Sequence, residues 1–305
     1  MTNIKNKFIK IALLSLIAVA VVIALLNILS PKKVIAQNQH AAGVHLNRYV
    51  HFTELMRDAS IEGELLSYKS AYDHSEQPLF ILKPAGEPAK RLFFFFHGMD
   101  GDRGDVVVVR ELVRALDARV ICVGGGPSWV SDAFIANAQQ IIDAYSSNSE
   151  GFYLIGISMG GTQVLALAGI LPEELRNRIS GVIALIPGSD LPAIMTKSSN
   201  QSVRKTLKAS VNGDKDKLKG RSPINLIHKY KKGLPFVIFY NTSDSILLHD
   251  KIKYFISELN KTHPVSIFTA PGEHDFTYTD VNYEKIFYEL GKNSLRKRPI
   301  PRLMQ

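Results

Sequence analysis

The sequence predicts an α/β fold: a mostly parallel, doubly wound sheet with helices on both faces, preceded by a transmembrane helix. Three observations predict it. Apolar strand-like runs alternate with helical patterns through most of the chain. One of those strands passes into a helix of small residues through Gly156-Ile157-Ser158-Met159-Gly160. Residues 11–29 are almost entirely apolar, interrupted only by Ser15 and Asn27. At 305 residues and 46% hydrophobic, the chain suffices for one sizeable domain with extensions.

The apolar N-terminal run would span about 28 Å as a helix, close to the ~30 Å hydrocarbon core of a bilayer. Lys5, Lys7 and Lys10 precede it and Lys32 and Lys33 follow it, a modest bias toward a cytoplasmic N-terminus. The reading is an uncleaved signal anchor over residues 11–30 after a cytoplasmic tail at 1–10. The alternative is a signal peptide cleaved near Val34-Ile35-Ala36, disfavoured by the length of the run and by the two lysines before that point. Either way the rest of the chain is expected outside the cytoplasm, as a single-pass membrane protein or as a secreted or periplasmic one.

A linker with a short helix (Leu46, Tyr49, Val50, Leu55 and Met56 at helical spacing) fills 31–60, and the α/β domain is expected over 61–293. Residues 62–72 and 78–84 read as a hairpin that opens the sheet. Strands then follow at 92–96, 119–123, 152–157, 181–186, 234–240 and 265–269. Helices are predicted at 105–117, 131–146, 160–169, 245–259 and 283–291. Between 189 and 233 the alternation stops, and Lys197, Arg204, Lys205, Lys208, Lys215, Lys217, Lys219, Arg221, Lys229, Lys231 and Lys232 face only Asp190, Asp214 and Asp216. This reads as a small basic insertion, either a solvated surface or a lid turned toward an anionic surface or acidic substrate. Residues 294–305 form a basic tail.

Ser158 has the features of an activated hydroxyl. A strand that reverses into a helix forces its turn residue into a strained conformation, and glycines two before and two after make room for it. The hydroxyl would then stand at the sheet edge over a helix N-terminus, which favours developing negative charge. Three loops at strand ends supply what such a serine needs. After Phe93–Phe96 comes His97-Gly98-Met99-Asp100-Gly101, where the N–H of Met99, with that of Met159, could form a two-donor oxyanion hole. After the strand ending at Tyr240 comes Asp244, which could hold a histidine or merely cap a turn. After the strand ending at Thr269 comes Pro271-Gly272-Glu273-His274, which places an imidazole within reach of the serine. Gly124-Gly125-Gly126-Pro127-Ser128-Trp129 follows another strand. Its lone tryptophan is a candidate for the substrate pocket, with His97 and Gly98, or for a core anchor.

On these residues the chain resembles an α/β-hydrolase over roughly 62–293. The order Ser158, Asp244, His274 is the chain order of that superfamily, and the stretch from Ser222 through Asp244 to Phe276 is similar to the C-terminal half of prolyl-oligopeptidase-like and dienelactone-hydrolase-like members. The His97-Gly98-x-x-Gly101 turn resembles their oxyanion loop. The usual Gly-x-x-Asp before the acid reads Asn241-Thr242-Ser243-Asp244 here, which leaves Asp190 and Asp250 as fallback acids. The resemblance implies a serine hydrolase acting on an ester, thioester or amide, with Ser158 as nucleophile, His274 as base and Asp244 as its orienting acid. Carboxylic ester hydrolysis of a small or lipid-like acyl substrate leads; peptidase or amidase activity and acyl transfer remain open. The other class of reading is a membrane-tethered binding module that kept the fold without turnover. Neither a metal nor an organic cofactor is implied.

Composition adds limits. Net charge is +9 and the pI is about 9.4, which suggests acidic partners without choosing among them. Zinc-ligand spacing, a Walker loop and RNA-binding signatures are absent from the sequence, so nucleic acid ranks last. Cys122 is the one cysteine. It permits no internal disulfide, and its apolar neighbours predict a buried position.

Overall fold

Among the described residues, apolar runs bounded by turn residues form eight strands in one sheet, ordered β1-β2-β4-β3-β5-β6-β7-β8. The computed structural model describes residues 58–86, 88–99, 103–124, 128–274, 285 and 288–290. The predicted anchor and basic tail, and almost all of the linker, lie outside them, as does most of the helix expected at 283–291. Among the described residues, no helix is long and apolar enough to cross a membrane.

The strands are β1 (Ile61–Lys69), β2 (Glu76–Pro84), β3 (Arg91–Phe96), β4 (Ala118–Val123), β5 (Phe152–Ile157), β6 (Ile179–Leu185), β7 (Phe236–Asn241) and β8 (Val265–Ala270). β1 and β2 form the expected antiparallel hairpin. β2 then pairs antiparallel with β4, not with its sequence neighbour β3. Every later pairing, from β4-β3 through β7-β8, is parallel. Parallel strands need crossovers: the helices α1 (Arg103–Leu116), α2 (Asp132–Ser146), α3 (Met159–Ile170) and α9 (His249–Asn260), with the short α4 (Glu173–Arg178) after α3, and a run of shorter helices between β6 and β7.

Burial on both faces explains why the central strands read as continuous apolar runs. Phe93 and Phe95 join Ile155, Ile157, Ile183, Leu185 and Val237 in a core layer with Val108, Val109, Leu112 and Val113 of α1. Phe94 and Phe96 point the other way, edge-on to Phe152 and to Phe134 of α2, with centroids 5.4 and 5.6 Å apart. Fully burying one such ring contributes roughly 1.5–3 kcal/mol. α3 is buried on all sides: Leu226 and Tyr230 close over its outer face at Gly169. Cys122 is buried, as expected.

The segment between β6 and β7 folds into four short helices, α5 (Leu191–Lys197), α6 (Gln201–Ala209), α7 (Lys215–Arg221) and α8 (Pro223–Leu226), with a 3-10 turn at Ile227–Lys229. Three carry side-chain caps: Asp190 on α5, Asn200 on α6 and Asp214 on α7. Lys217 (2.7 Å) and Arg221 both bond to Asp132 at the start of α2, and these cations hold the Asp132 carboxyl below the usual carboxylate range. Lys205, Lys208, Lys215 and Lys219 are exposed on α6 and α7.

Candidate active site

His97, Gly98, Met99, Ser158, Met159, Asp244 and His274 follow the C-terminal ends of parallel strands, the end of an open α/β sheet where crevices form. Ser158 joins β5 to α3 with φ 54° and ψ −112°, a conformation that persists only when its surroundings over-determine it. They do. Its N–H donates to Leu185 O of β6 (2.8 Å), and its carbonyl accepts from Thr162 N (2.9 Å) and Thr162 Oγ1 (3.1 Å) of α3. The Thr162 hydroxyl accepts in turn from Gly188 N (2.8 Å), tying the loop after β6 to the same turn.

The glycines flanking the serine are set by close approach. A Cβ on Gly156 would stand 2.3 Å from the backbone of Gly160, and a Cβ on Gly160 would stand 1.9 Å from Phe96 O and 2.7 Å from His97 O. The first turn of α3 therefore lies directly on the exit of β3, which brings His97, Gly98 and Met99 beside the serine: a Cβ on Gly98 would be 3.9 Å from Ser158 Cβ. Met159 is the first residue of α3, so its N–H has no intrahelical acceptor and lies at the positive end of the helix. His97 Nδ1 lies 2.5 Å from Gly98 O, which holds that ring against its own turn.

His274 Nε2 lies 2.8 Å from Ser158 Oγ, and His274 Nδ1 lies 2.7 Å from Asp244 Oδ2. With the ring proton on Nδ1, the serine hydroxyl donates to Nε2 and Nδ1–H donates to the carboxylate. The side chains of His274 and Asp244 are 14% and 5% exposed. Asp244 uses its two oxygens differently: Oδ2 faces the imidazole, and Oδ1 accepts from Ile246 N (2.9 Å) and Leu247 N (2.8 Å). The turn-capping and histidine-holding readings of this residue both describe it, one oxygen each. Asp190 caps α5 through Ala193 N and lies 3.9 Å from Lys251 Nζ. Asp250 is in the first turn of α9. Neither fallback acid is the one bonded to His274.

Trp129 is buried, with φ 42°. Its carbonyl accepts from Gln163 Nε2 and its indole N–H donates to Thr206 Oγ1 of α6 (2.9 Å). Thr206 Oγ1 also lies 3.5 Å from Met99 Sδ. The basic insertion is thus joined to the turn after β3 through a residue that the sequence did not single out. A second residue of this kind is Glu273, whose carboxylate bonds to Ser245 beside the acid. Among the described residues, no group of His, Cys, Asp and Glu could hold a metal ion.

No protein-family model matches the chain, and no curated protein matches its sequence. Solved structures do. The chain is similar to Pyrococcus horikoshii acylaminoacyl peptidase (TM-score 0.58, 14% identity) over 83% of its own length and 44% of the peptidase. It is similar to esterase B from Lactobacillus Rhamnosis (TM-score 0.60, 15% identity) over 84% of its length and 93% of the esterase. It is also similar to an S-formylglutathione hydrolase from Agrobacterium tumefaciens (TM-score 0.57, 15% identity), over 78% and 96%. The chain therefore spans less than half of the peptidase it matches.

Proposed function

The chain has the α/β-hydrolase fold, and on that premise we propose that it is a serine hydrolase cleaving a carboxylic ester or thioester through an acyl-enzyme on Ser158. The observation that carries the reading is the unbroken path Ser158 Oγ, His274, Asp244, with separations of 2.8 and 2.7 Å, on a serine held at φ 54°. His274 takes the hydroxyl proton as Ser158 attacks the carbonyl and later delivers it to the leaving group. Asp244 fixes the tautomer and stabilises the imidazolium. The N–H groups of Met159 and Met99 hold the oxyanion, each donor contributing about 2.7–4 kcal/mol in the transition state. Water then releases the acyl group.

The ester reading leads because the similar esterase and S-formylglutathione hydrolase are matched over 93% and 96% of their length. The test is fluorophosphonate labelling of the full-length chain in detergent micelles, wild type beside Ser158→Ala and His274→Ala. Labelling of the wild type alone supports the reading, and labelling that survives Ser158→Ala names another nucleophile. An unlabelled, folded wild type moves the weight to a binding module. A series of p-nitrophenyl esters and anilides then separates esterase from amidase.

The apolar run at 11–29 and the exposed lysines of α6 and α7 support a location at a membrane, with the domain on the extracytoplasmic side and its insertion toward anionic lipid. Co-sedimentation with phosphatidylglycerol vesicles that does not weaken with added salt counts against this role for the insertion.

A further inference from the structure

Two loops carry the imidazole and its acid, and they are tied to each other more heavily than a histidine–aspartate contact requires. Thr242 N donates to Ala270 O and Ser243 N to Gly272 O, both at 3.0 Å. The Asn241 side-chain amide donates to Glu273 O. The Glu273 side chain then crosses back: one oxygen, Oε2, accepts from Ser245 N (3.0 Å) and from Ser245 Oγ (2.8 Å). Glu273 immediately precedes His274, and Ser245 immediately follows Asp244. The pair therefore repeats the His274–Asp244 contact one residue outward and closes a small ring of contacts around it.

Ser245 also reaches the insertion. Its Oγ lies 2.9 Å from Ser199 Oγ, and its carbonyl accepts from Ser199 N (3.2 Å). With the Ser245 proton committed to Glu273, the Ser199 hydroxyl is the donor of that pair. Ser199 stands beside the cap of α6, the helix whose Thr206 touches Met99.

We propose that Glu273 is a positioning residue for His274: by holding Ser245, its carboxylate fixes the loop of the base to the turn of the acid, and Ser199 braces the pair from the insertion. A base must sit within hydrogen-bond reach of the proton it takes, and a misplacement near 1 Å can lower a rate by about 10²-fold. Glu273 acts at a distance from the reacting atoms, so its effect falls on turnover and leaves substrate binding in place.

The inference rests on the serine-hydrolase reading, and the experiment separates the two. Wild type, Glu273→Ala, Glu273→Gln and Ser245→Ala are compared in full-length form. Active sites are counted by fluorophosphonate titration, and p-nitrophenyl acetate hydrolysis is measured per titrated site. Glu273→Ala is expected to lower kcat about ten-fold with KM changed less than about two-fold. Glu273→Gln keeps an acceptor oxygen and recovers most of that loss, and Ser245→Ala falls between them. Wild-type kcat per titrated site in both Glu273→Ala and Ser245→Ala overturns the inference, as does a loss confined to the number of titratable sites, which marks a folding role alone. A wild type that does not label overturns the underlying reading and this inference with it. Ser245→Ala removes only a hydroxyl and keeps the test open if Glu273→Ala fails to fold.

Discussion

Adding one methyl group at Gly160 tests the geometry of the serine turn most directly. The Cβ of Gly160→Ala would lie 1.9 Å from Phe96 O, 2.5 Å from Phe96 C and 2.7 Å from His97 O, all backbone atoms, whereas real Cβ contacts essentially never fall below 3.0 Å. No rotamer change can relieve this, so the start of α3 and the exit of β3 must part by about 1 Å, a displacement that can reduce a rate about 10²-fold. Overpacking of this kind destabilises by about 1–3 kcal/mol, and rigid backbone neighbours place it at the upper end. Alanine's better helix propensity offsets about 0.5–1 kcal/mol, leaving a net loss near 2 kcal/mol. The expected result is a lower urea midpoint with unchanged slope and a fluorophosphonate labelling rate about 10²-fold slower per folded molecule. Gly220→Ala in α7 is the control: its Cβ would have nothing within 4 Å, so stability should stay or rise by up to about 1 kcal/mol, the midpoint holding or rising with it, with labelling unchanged. If Gly160→Ala keeps both the midpoint and the labelling rate of the wild type, the close packing of β3 on α3, and the placement of the Met99 turn derived from it, are wrong.

Other outcomes follow from individual side chains. Tyr230 is buried and its hydroxyl donates to Pro223 O at 3.3 Å; burial pushes its pKa far above the ordinary value of 10.0. The folded state keeps a proton that the unfolded state loses, so stability should fall by about 1.4 kcal/mol per pH unit above pH 10. Tyr230→Phe should flatten that slope in urea melts at rising pH. Asp132→Asn removes the partner of Lys217 and Arg221. The carboxyl is depressed and 44% exposed, so the loss should be under about 1 kcal/mol, present at neutral pH and shrinking as pH falls below 3.8 or as salt is added. Thr206→Val deletes the acceptor of the Trp129 indole N–H and should destabilise by about 1–3 kcal/mol, read as a lower urea midpoint.

Local patterns carried most of the site into the sequence. The glycine spacing around Ser158, the phenylalanine run of β3 and the loop positions of Asp244 and His274 are each visible within a dozen residues, because strand, elbow and helix are local conformations. What stayed hidden is long-range. Nothing in the hairpin says that β2 lies against β4, with β3 one strand further in. Glu273 was in view, but its partner Ser245 belongs to another loop. Of the four helices after β6, α5, α7 and α8 are too short to show a period, whereas α6 carries one in Val203 and Leu207, its two buried residues, that the reading passed over; Asp190, Asn200 and Asp214 were legible as caps. The helix expected from Ser245 begins at His249 because Asp244 draws the N–H groups of Ile246 and Leu247 into its own turn and Leu248 follows with φ 64°.

The strand order also ranks the parts of the site by how easily they come away. The serine rides on β5, whose neighbours β3 and β6 are both largely buried, but the imidazole follows β8, the edge strand of the sheet among the described residues, with no fully buried residue along its length. Peripheral segments of that kind open at lower free energy than the core. Turnover should therefore vanish on heating before the sheet melts, at a temperature where circular dichroism still reports a folded protein. It should return on cooling, because the strained serine at the centre never left its place.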